Sequence, residues 1–263
     1  MKILLINGSP HEGNTSDKIA EIEEKLSTYA DADVEIINLK DMNILPCKGC
    51  FVCFMKGRNK CPLRDDRELI ENKMMDADGV IFATPVYSMH VSYLLKTLID
   101  RMGYIFHRPR FFKKYAITMS VAGNIGLKET NQYLSQVADA WGFEVVGNLS
   151  YRMAPKNTPM TLPPIKNDKT NELLENFYRK IKEKKPRKLS FTDHITFRLM
   201  QAVYKRFETM SPYDYQYWKE KGWFEKESVY FYSPVKRNII YDSIAWFLAW
   251  MMGRQMDKEF VKK

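Results

Sequence analysis

Five short apolar runs, KILLI (2–6), VEIINL (34–39), GVIFATP (79–85), YAITMSVAG (115–123) and EVVGNLSY (144–151), alternate with segments whose apolar residues recur at helical spacing. The runs are short and nearly continuous, which suits strands covered on both faces. Residues 15–30, with Ile19, Ile22, Leu26 and Tyr29 on one side, read as the first helix. Residues 65–77, 91–103, 127–142 and 167–184 read as four more. Short connections at this rhythm imply right-handed crossovers and a parallel sheet with helices on both faces. The expected fold is therefore α/β, a doubly wound five-stranded parallel sheet in the order 2-1-3-4-5.

The character of the chain changes after Pro186. Residues 192–210 and 238–253 read as helices, while DYQYWKEKGWFEKESVYFYSP between them is crowded with aromatics and fits no period. The expected organisation is one domain over 1–185 and a mainly helical, aromatic-rich extension over 186–263. A proline-rich loop, APKNTPMTLPPIK (154–166), joins the last strand to its helix.

The 263 residues are 45% hydrophobic, enough for a full-sized core. No stretch reaches the roughly 18 apolar residues of a membrane span, so no transmembrane segment is expected. MKILLING is not read as a signal peptide, because it passes straight into the motif below, and a cytoplasmic protein is expected. The formal charge of +9 favours anionic ligands. It is not read as nucleic-acid binding, since no recognition module or basic stripe interleaved with aromatics accompanies it.

The first strand runs into a polar loop, GSPHEGNTS (8–16), that opens the first helix. Gly8 permits a tight turn, and a helix N-terminus is a ready anion site. The loop lacks G-x-G-x-x-G and the lysine of a nucleotide-hydrolysing phosphate loop. A neutral, hydroxyl-rich loop suits a single phosphomonoester held by hydrogen bonds.

GSPHEGNTS, TPVYSMHVS (84–92) and LIDRMG (98–103), in that order, resemble the NAD(P)H-dependent FMN reductases and iron–sulfur flavoproteins of the flavodoxin-like superfamily. The resemblance covers roughly residues 1–150. It implies FMN, with its phosphate on the Ser9, Pro10, His11, Asn14, Thr15 and Ser16 loop. It implies that Pro85, Val86, Tyr87 and Ser88 contact the isoalloxazine ring, and that Ser120, Ala122 and Gly123 complete the ring pocket. His11 has two readings, stacking or facing solvent. Asp100 and Arg101 are expected in structural ion pairs.

All four cysteines fall in CKGCFVCFMKGRNKCP, as Cys47, Cys50, Cys53 and Cys61. Two successive x2 spacings can set three thiolates around one iron–sulfur cluster, and the last cysteine precedes a proline as in ferredoxins. The resemblance to iron–sulfur flavoproteins implies a 4Fe-4S cluster there. The long x7 gap keeps free thiols near the flavin open as the other reading.

The expected function is an FMN-dependent oxidoreductase passing electrons from NAD(P)H to a small-molecule acceptor. The alternatives are a ferredoxin-linked iron–sulfur flavoprotein carrying electrons through a 4Fe-4S cluster, and a binding module without cofactor. No catalytic acid or base is assigned, because the flavin carries the chemistry. A homodimer or higher homo-oligomer is expected, with Trp218, Trp223, Trp246 and Trp250 of the extension burying surface against a second copy. Lys236, Arg237 and Arg254 beside the last helix leave a membrane-surface role as the rival reading for it.

Overall fold

A computed structural model describes residues 1–156, 158–163 and 169–260. Residues 157 and 164–166 of the proline-rich loop, and 167–168 of the expected fifth helix, lie outside the described residues. The chain separates into two compact units. One comprises Met1–Lys48 and Leu63–Lys184, and the other Gly49–Pro62 and Lys185–Lys263.

The first unit holds five strands, β1 (Lys2–Asn7), β2 (Asp33–Asn38), β3 (Gly79–Pro85), β4 (Tyr115–Ala122) and β5 (Glu144–Arg152). They form one parallel sheet in the order β2-β1-β3-β4-β5, as the alternation predicts. Every residue of β3 is buried, whereas β2 at one edge buries Ile37 alone. Helix α1 (Asn14–Ser27) covers one face together with α6 (Thr170–Glu183), setting Ile19, Ile22, Leu26, Leu174, Phe177 and Ile181 against Ile3, Leu5, Ile81 and Ile117. In the second unit a single turn, α2 (Val52–Met55), carries the middle of the cysteine segment. The remaining helices of the first unit are α3 (Arg67–Asp76), α4 (Tyr93–Arg101) and α5 (Leu127–Trp141). Trp141 of α5 packs edge-on against Phe82 of β3, at 6.0 Å between ring centroids. Beneath α3 the fully buried Glu71 carboxylate accepts from Arg67, Arg110 and the Tyr104 hydroxyl at 2.5–2.7 Å. Burial and the adjacent carboxylate push the Tyr104 phenol up to about 12, so it stays a donor.

The second unit is built from α7 (Phe191–Tyr204), α8 (Pro212–Glu220) and α9 (Ile239–Phe260) besides α2. Ser190 and Asp193 close α7 with a reciprocal capping box. Trp218 of α8 is completely buried among Phe197, Tyr204, Trp223 and Phe231. Two of the four tryptophans expected to need a partner, Trp218 and Trp223, are thus buried inside their own unit, while Trp246 and Trp250 are exposed.

His194 of α7 is buried, and its Nε2 accepts from the Asn238 backbone N–H at 3.2 Å, which requires the neutral ring. Burial depresses its pKa below the usual histidine value, against the pull of Asp242. The unfolded chain therefore binds more protons below about pH 6.5 than the folded one does. Stability from this site is present above that pH and is lost as pH falls. Acid titration of urea midpoints should show the loss setting in below about pH 6.5, and His194→Gln should remove that inflection.

Candidate functional site

The loop between β1 and α1 is anchored by two buried residues. Gly8 N–H donates to Ala83 O at 2.8 Å, and its own carbonyl accepts from Ser92 Oγ at 2.5 Å. A Cβ on Gly8 would lie 3.0 Å from Ala83 O and from Leu95 Cβ, so the close approach of β1 and β3 needs glycine there. Asn7 Nδ2 donates to Ser16 Oγ at 3.1 Å and to Asn38 Oδ1 at 2.9 Å, while its Oδ1 accepts from Ser9 N–H at 3.0 Å. Ser9 Oγ in turn donates to His11 O at 2.7 Å. The loop is preorganised before any ligand arrives.

Helix α1 starts at Asn14 behind Gly13, which offers no side chain, and no side-chain cap bond is made. Asn14 itself points elsewhere, its Nδ2 donating to Ala154 O at 2.7 Å. The N–H groups of the first turn are thus left facing the polar loop without a side-chain cap, beside the buried Thr15 and half-buried Ser16. That donor set fits a phosphate.

The turn after β3 lies at the same carboxyl edge of the sheet. Tyr87 and His90 exchange both backbone hydrogen bonds at 2.9 Å around Ser88 and Met89, whose φ values are 48° and 67°. Two consecutive left-handed residues make a tight primed turn. Neither is glycine, and such backbone strain persists where surroundings fix it. Val86 N–H is held by Val121 O of β4 at 2.8 Å, and Thr84 Oγ1 accepts from Ser92 N–H at 3.0 Å. Gly126, at φ 86° before α5, would carry a Cβ only 2.7 Å from Val86 Cγ1. The Tyr87 hydroxyl meets His11 Nε2 at 3.1 Å, joining this turn to the first loop.

The fold brings the sequence-predicted positions together on three adjacent loops. Ser9, Pro10, His11, Asn14, Thr15 and Ser16 follow β1; Pro85, Val86, Tyr87 and Ser88 end or follow β3; Ser120, Ala122 and Gly123 end or follow β4. Ser120 is buried, and its hydroxyl turns back to donate to Leu127 O at 3.1 Å. Sequence reasoning missed Asn7, Thr84, Ser92 and Gly126, which hold the loops in place. Ser92 carried a usable signal, a serine just before a helical run, and it does cap α4 by accepting from Leu95 N–H at 3.3 Å.

The cysteine segment has a rigid stem. Asp65 accepts from Arg101 at 2.9–3.0 Å and from Leu45 N–H at 3.0 Å, and Asp66 accepts from Asn43 N–H at 2.8 Å. The Asp65 and Arg101 side chains are 2% and 3% exposed. Asp100 instead pairs with Lys96 on the surface at 2.5 Å. The body of the segment packs on α8: a Cβ on Gly57, at φ 95°, would strike the Tyr213 ring at 2.7 Å, and Ser211 Oγ lies 3.5 Å from Phe54 O. Cys47 and Cys50 are exposed, and Cys53 and Cys61 are half-buried. Among the described residues no three His, Cys, Asp or Glu side chains gather closely enough to hold a metal ion.

The family model for NADPH-dependent FMN reductase matches residues 1–157, the stretch that contains all three loops. The chain belongs to this family. It is accordingly a flavoprotein oxidoreductase that uses FMN. An iron–sulfur flavoprotein of Archaeoglobus fulgidus is 29% identical over 223 residues, covering 84% of this FMN reductase-family chain and 99% of the relative. Another, from Methanosarcina thermophila, is 32% identical over 155 residues, covering 57% and 80%. The solved structure of RosB with a bound 8-demethyl-8-formylriboflavin-5'-phosphate intermediate superposes at a TM-score of 0.54 with 12% identity, covering 91% of this chain and 92% of that one. That likeness establishes the fold. No helix among the described residues is long and apolar enough to cross a membrane.

Proposed function

We propose that the chain oxidises NAD(P)H and passes the electrons through FMN to a small-molecule acceptor. The observation that carries this reading is the helix start without a side-chain cap at α1, preset by Asn7 and joined through His11 to the turn after β3. In this reading the first-turn N–H groups and the hydroxyls of Thr15 and Ser16 donate to the FMN phosphate, with Ser9, Asn14 and His11 shaping the loop. Pro85, Val86, Tyr87 and Ser88 hold the ring plane, and Ser120, Ala122 and Gly123 bound its far side. Bound FMN would supply the redox chemistry, taking up a hydride or electrons and handing them on. The protein's part is to bind, orient and screen. Residues 1–185 would form the FMN-binding domain and 186–263 an extension to it.

The Thr15→Ala/Ser16→Ala double variant should weaken FMN binding by about 1–3 kcal/mol, the worth of one or two hydrogen bonds to a charged partner. Titration calorimetry on the apoprotein reads this directly. Unchanged affinity in a folded variant would remove the loop from the phosphate site. Steady-state oxidation of NADH and NADPH tests the donor.

A second reading, a ferredoxin-linked electron carrier with a 4Fe-4S cluster, is supported by the relatives' name and by four cysteines confined to residues 47–61. It requires the thiols to move together from their present positions. About four irons per chain after anaerobic purification, lost in Cys50→Ser, together with negligible NAD(P)H oxidation, would favour it.

A further inference from the structure

Helix α9 shows solvent the kind of face that most surface helices bury. Its inward stripe is Asp242, Ala245, Ala249 and Gly253, all buried. These small residues bring α9 close to α7: Asp242 accepts from Arg198 at 2.8 and 3.0 Å, and a Cβ on Gly253 would lie 2.7 Å from the Arg206 guanidinium. Its outward side carries Ile239, Ile240, Ile244, Trp246, Phe247 and Met251, each 45–70% exposed, with Trp250 beside them at 44%. With Tyr241 and Leu248 this apolar surface is on the order of 1,000 Å², more than a typical monomer leaves uncovered.

The charges around this face decide what it fits. Its outermost line is Ile240, Ile244, Phe247 and Met251, and the same steps of three and four carry that line on to Arg254 and Lys258, both exposed. Lys236, also exposed, precedes the other end. Between Arg237 and Arg254 the only charged residue is Asp242, which is buried and bonded to Arg198 and Arg237. Of the two acids near the far end, Asp257 pairs with Arg206 at 2.6 Å and Glu259 stands off the line, accepting from Gln255 at 3.1 Å. The line is therefore apolar for three turns, cationic beyond, and free of acids. A second copy laid on it would set like charge near like in either direction. An anionic bilayer meets both parts in one surface, with its acyl boundary for the apolar side chains and its phosphates for the cations. Trp246 and Trp250 flank the line, and indole rings favour headgroup depth. The Arg254 guanidinium lies 5.0 Å from the Trp250 ring centroid, so cation and ring would sit at one level. No helix among the described residues is long and apolar enough to cross a membrane, so α9 would lie along the surface.

We infer that α9 docks the protein on an anionic lipid surface, its Ile240–Ile244–Phe247–Met251 line entering the headgroup–acyl boundary while Arg254 and Lys258 meet lipid phosphates. This rests on the extension alone and is independent of the flavin reading. The full chain should pellet with vesicles of mixed phosphatidylcholine and phosphatidylglycerol, and far less with phosphatidylcholine alone. Its tryptophan emission should shift to the blue on binding, a change that falls on Trp246 and Trp250 because Trp141, Trp218 and Trp223 are already buried. Arg254→Gln/Lys258→Gln should lower the partition coefficient about 30-fold at low ionic strength, as two basic residues withdrawn from an anionic surface do, and less in high salt. Phe247→Glu should lower it about tenfold or more at any salt concentration, since it puts a charge at the centre of the apolar line. Both variants should keep the wild-type circular dichroism, because all three side chains are exposed. Wild-type chain that stays in the supernatant with the anionic vesicles, or that binds both kinds of vesicle equally, would overturn the inference. So would either variant binding as tightly as the wild type. A wild type that ignores vesicles but sediments as a dimer that Phe247→Glu takes apart would give the face to a second copy, and overturn it too.

Discussion

Riboflavin is expected to bind at least about 100-fold more weakly than FMN. The two ligands differ only in the phosphate, so the comparison isolates the β1–α1 loop. A dianion at the start of α1 would gain two or three hydrogen bonds from donors left without a side-chain cap, each worth about 1.5–3 kcal/mol when the partner is charged. The helix dipole adds about 0.3–1 kcal/mol. Part of this is offset by stripping water from the phosphate, which leaves about 3 kcal/mol or more. Preorganisation keeps the gain from being spent on ordering the loop, because Asn7 already holds Ser9 and Ser16. Quenching of flavin fluorescence on titration with apoprotein measures both constants. Equal affinities would place the phosphate elsewhere.

Asp65→Ala should cost the fold about 3–5 kcal/mol, the usual penalty for removing one partner of a buried ion pair. The change takes the carboxylate away from the Arg101 guanidinium at 3% exposure and leaves Leu45 N–H without its acceptor. Because Asp65 joins the two ends of the cysteine segment, labelling of Cys47 by iodoacetamide should also quicken. Denaturant midpoints give the first quantity and mass spectrometry the second. The double variant Asp65→Ala/Arg101→Leu should cost less than the sum of its parts, since the lost partners are each other's. A loss under 1 kcal/mol in Asp65→Ala would mean that water replaces the carboxylate.

The sheet was legible because its strands are buried on both faces, so continuous runs such as GVIFATP mark them with little competition from helices. The polar loop was legible as a strand-to-helix connection for a different reason: hydroxyls and an amide concentrated after an apolar run mark a helix start. What escaped were long-range hydrogen bonds. Ser92 reaches Gly8 across 84 positions, and no local pattern records that pairing. Helix α8 escaped because its burial is not periodic: Trp218 is enclosed by aromatic stacking from several elements rather than by one apolar stripe. The exposed side of α9 escaped because the sequence shows that a helix is apolar, and not which side of it the protein leaves uncovered.

The seating of the cysteine segment on α8 sets an order in time. A chain leaves the ribosome N-terminus first, at about 5–20 residues per second. Residues 49–62 precede Pro212, the start of α8, by 150 positions. The sheet strands of the first unit are all complete by Arg152, so that unit can close while the segment still has nothing to rest on. For roughly 8–30 seconds of synthesis the thiols stand on a fixed stem over an unfinished molecule. Any oxidation or ligand capture in that interval meets a loop whose docking surface has not yet been made.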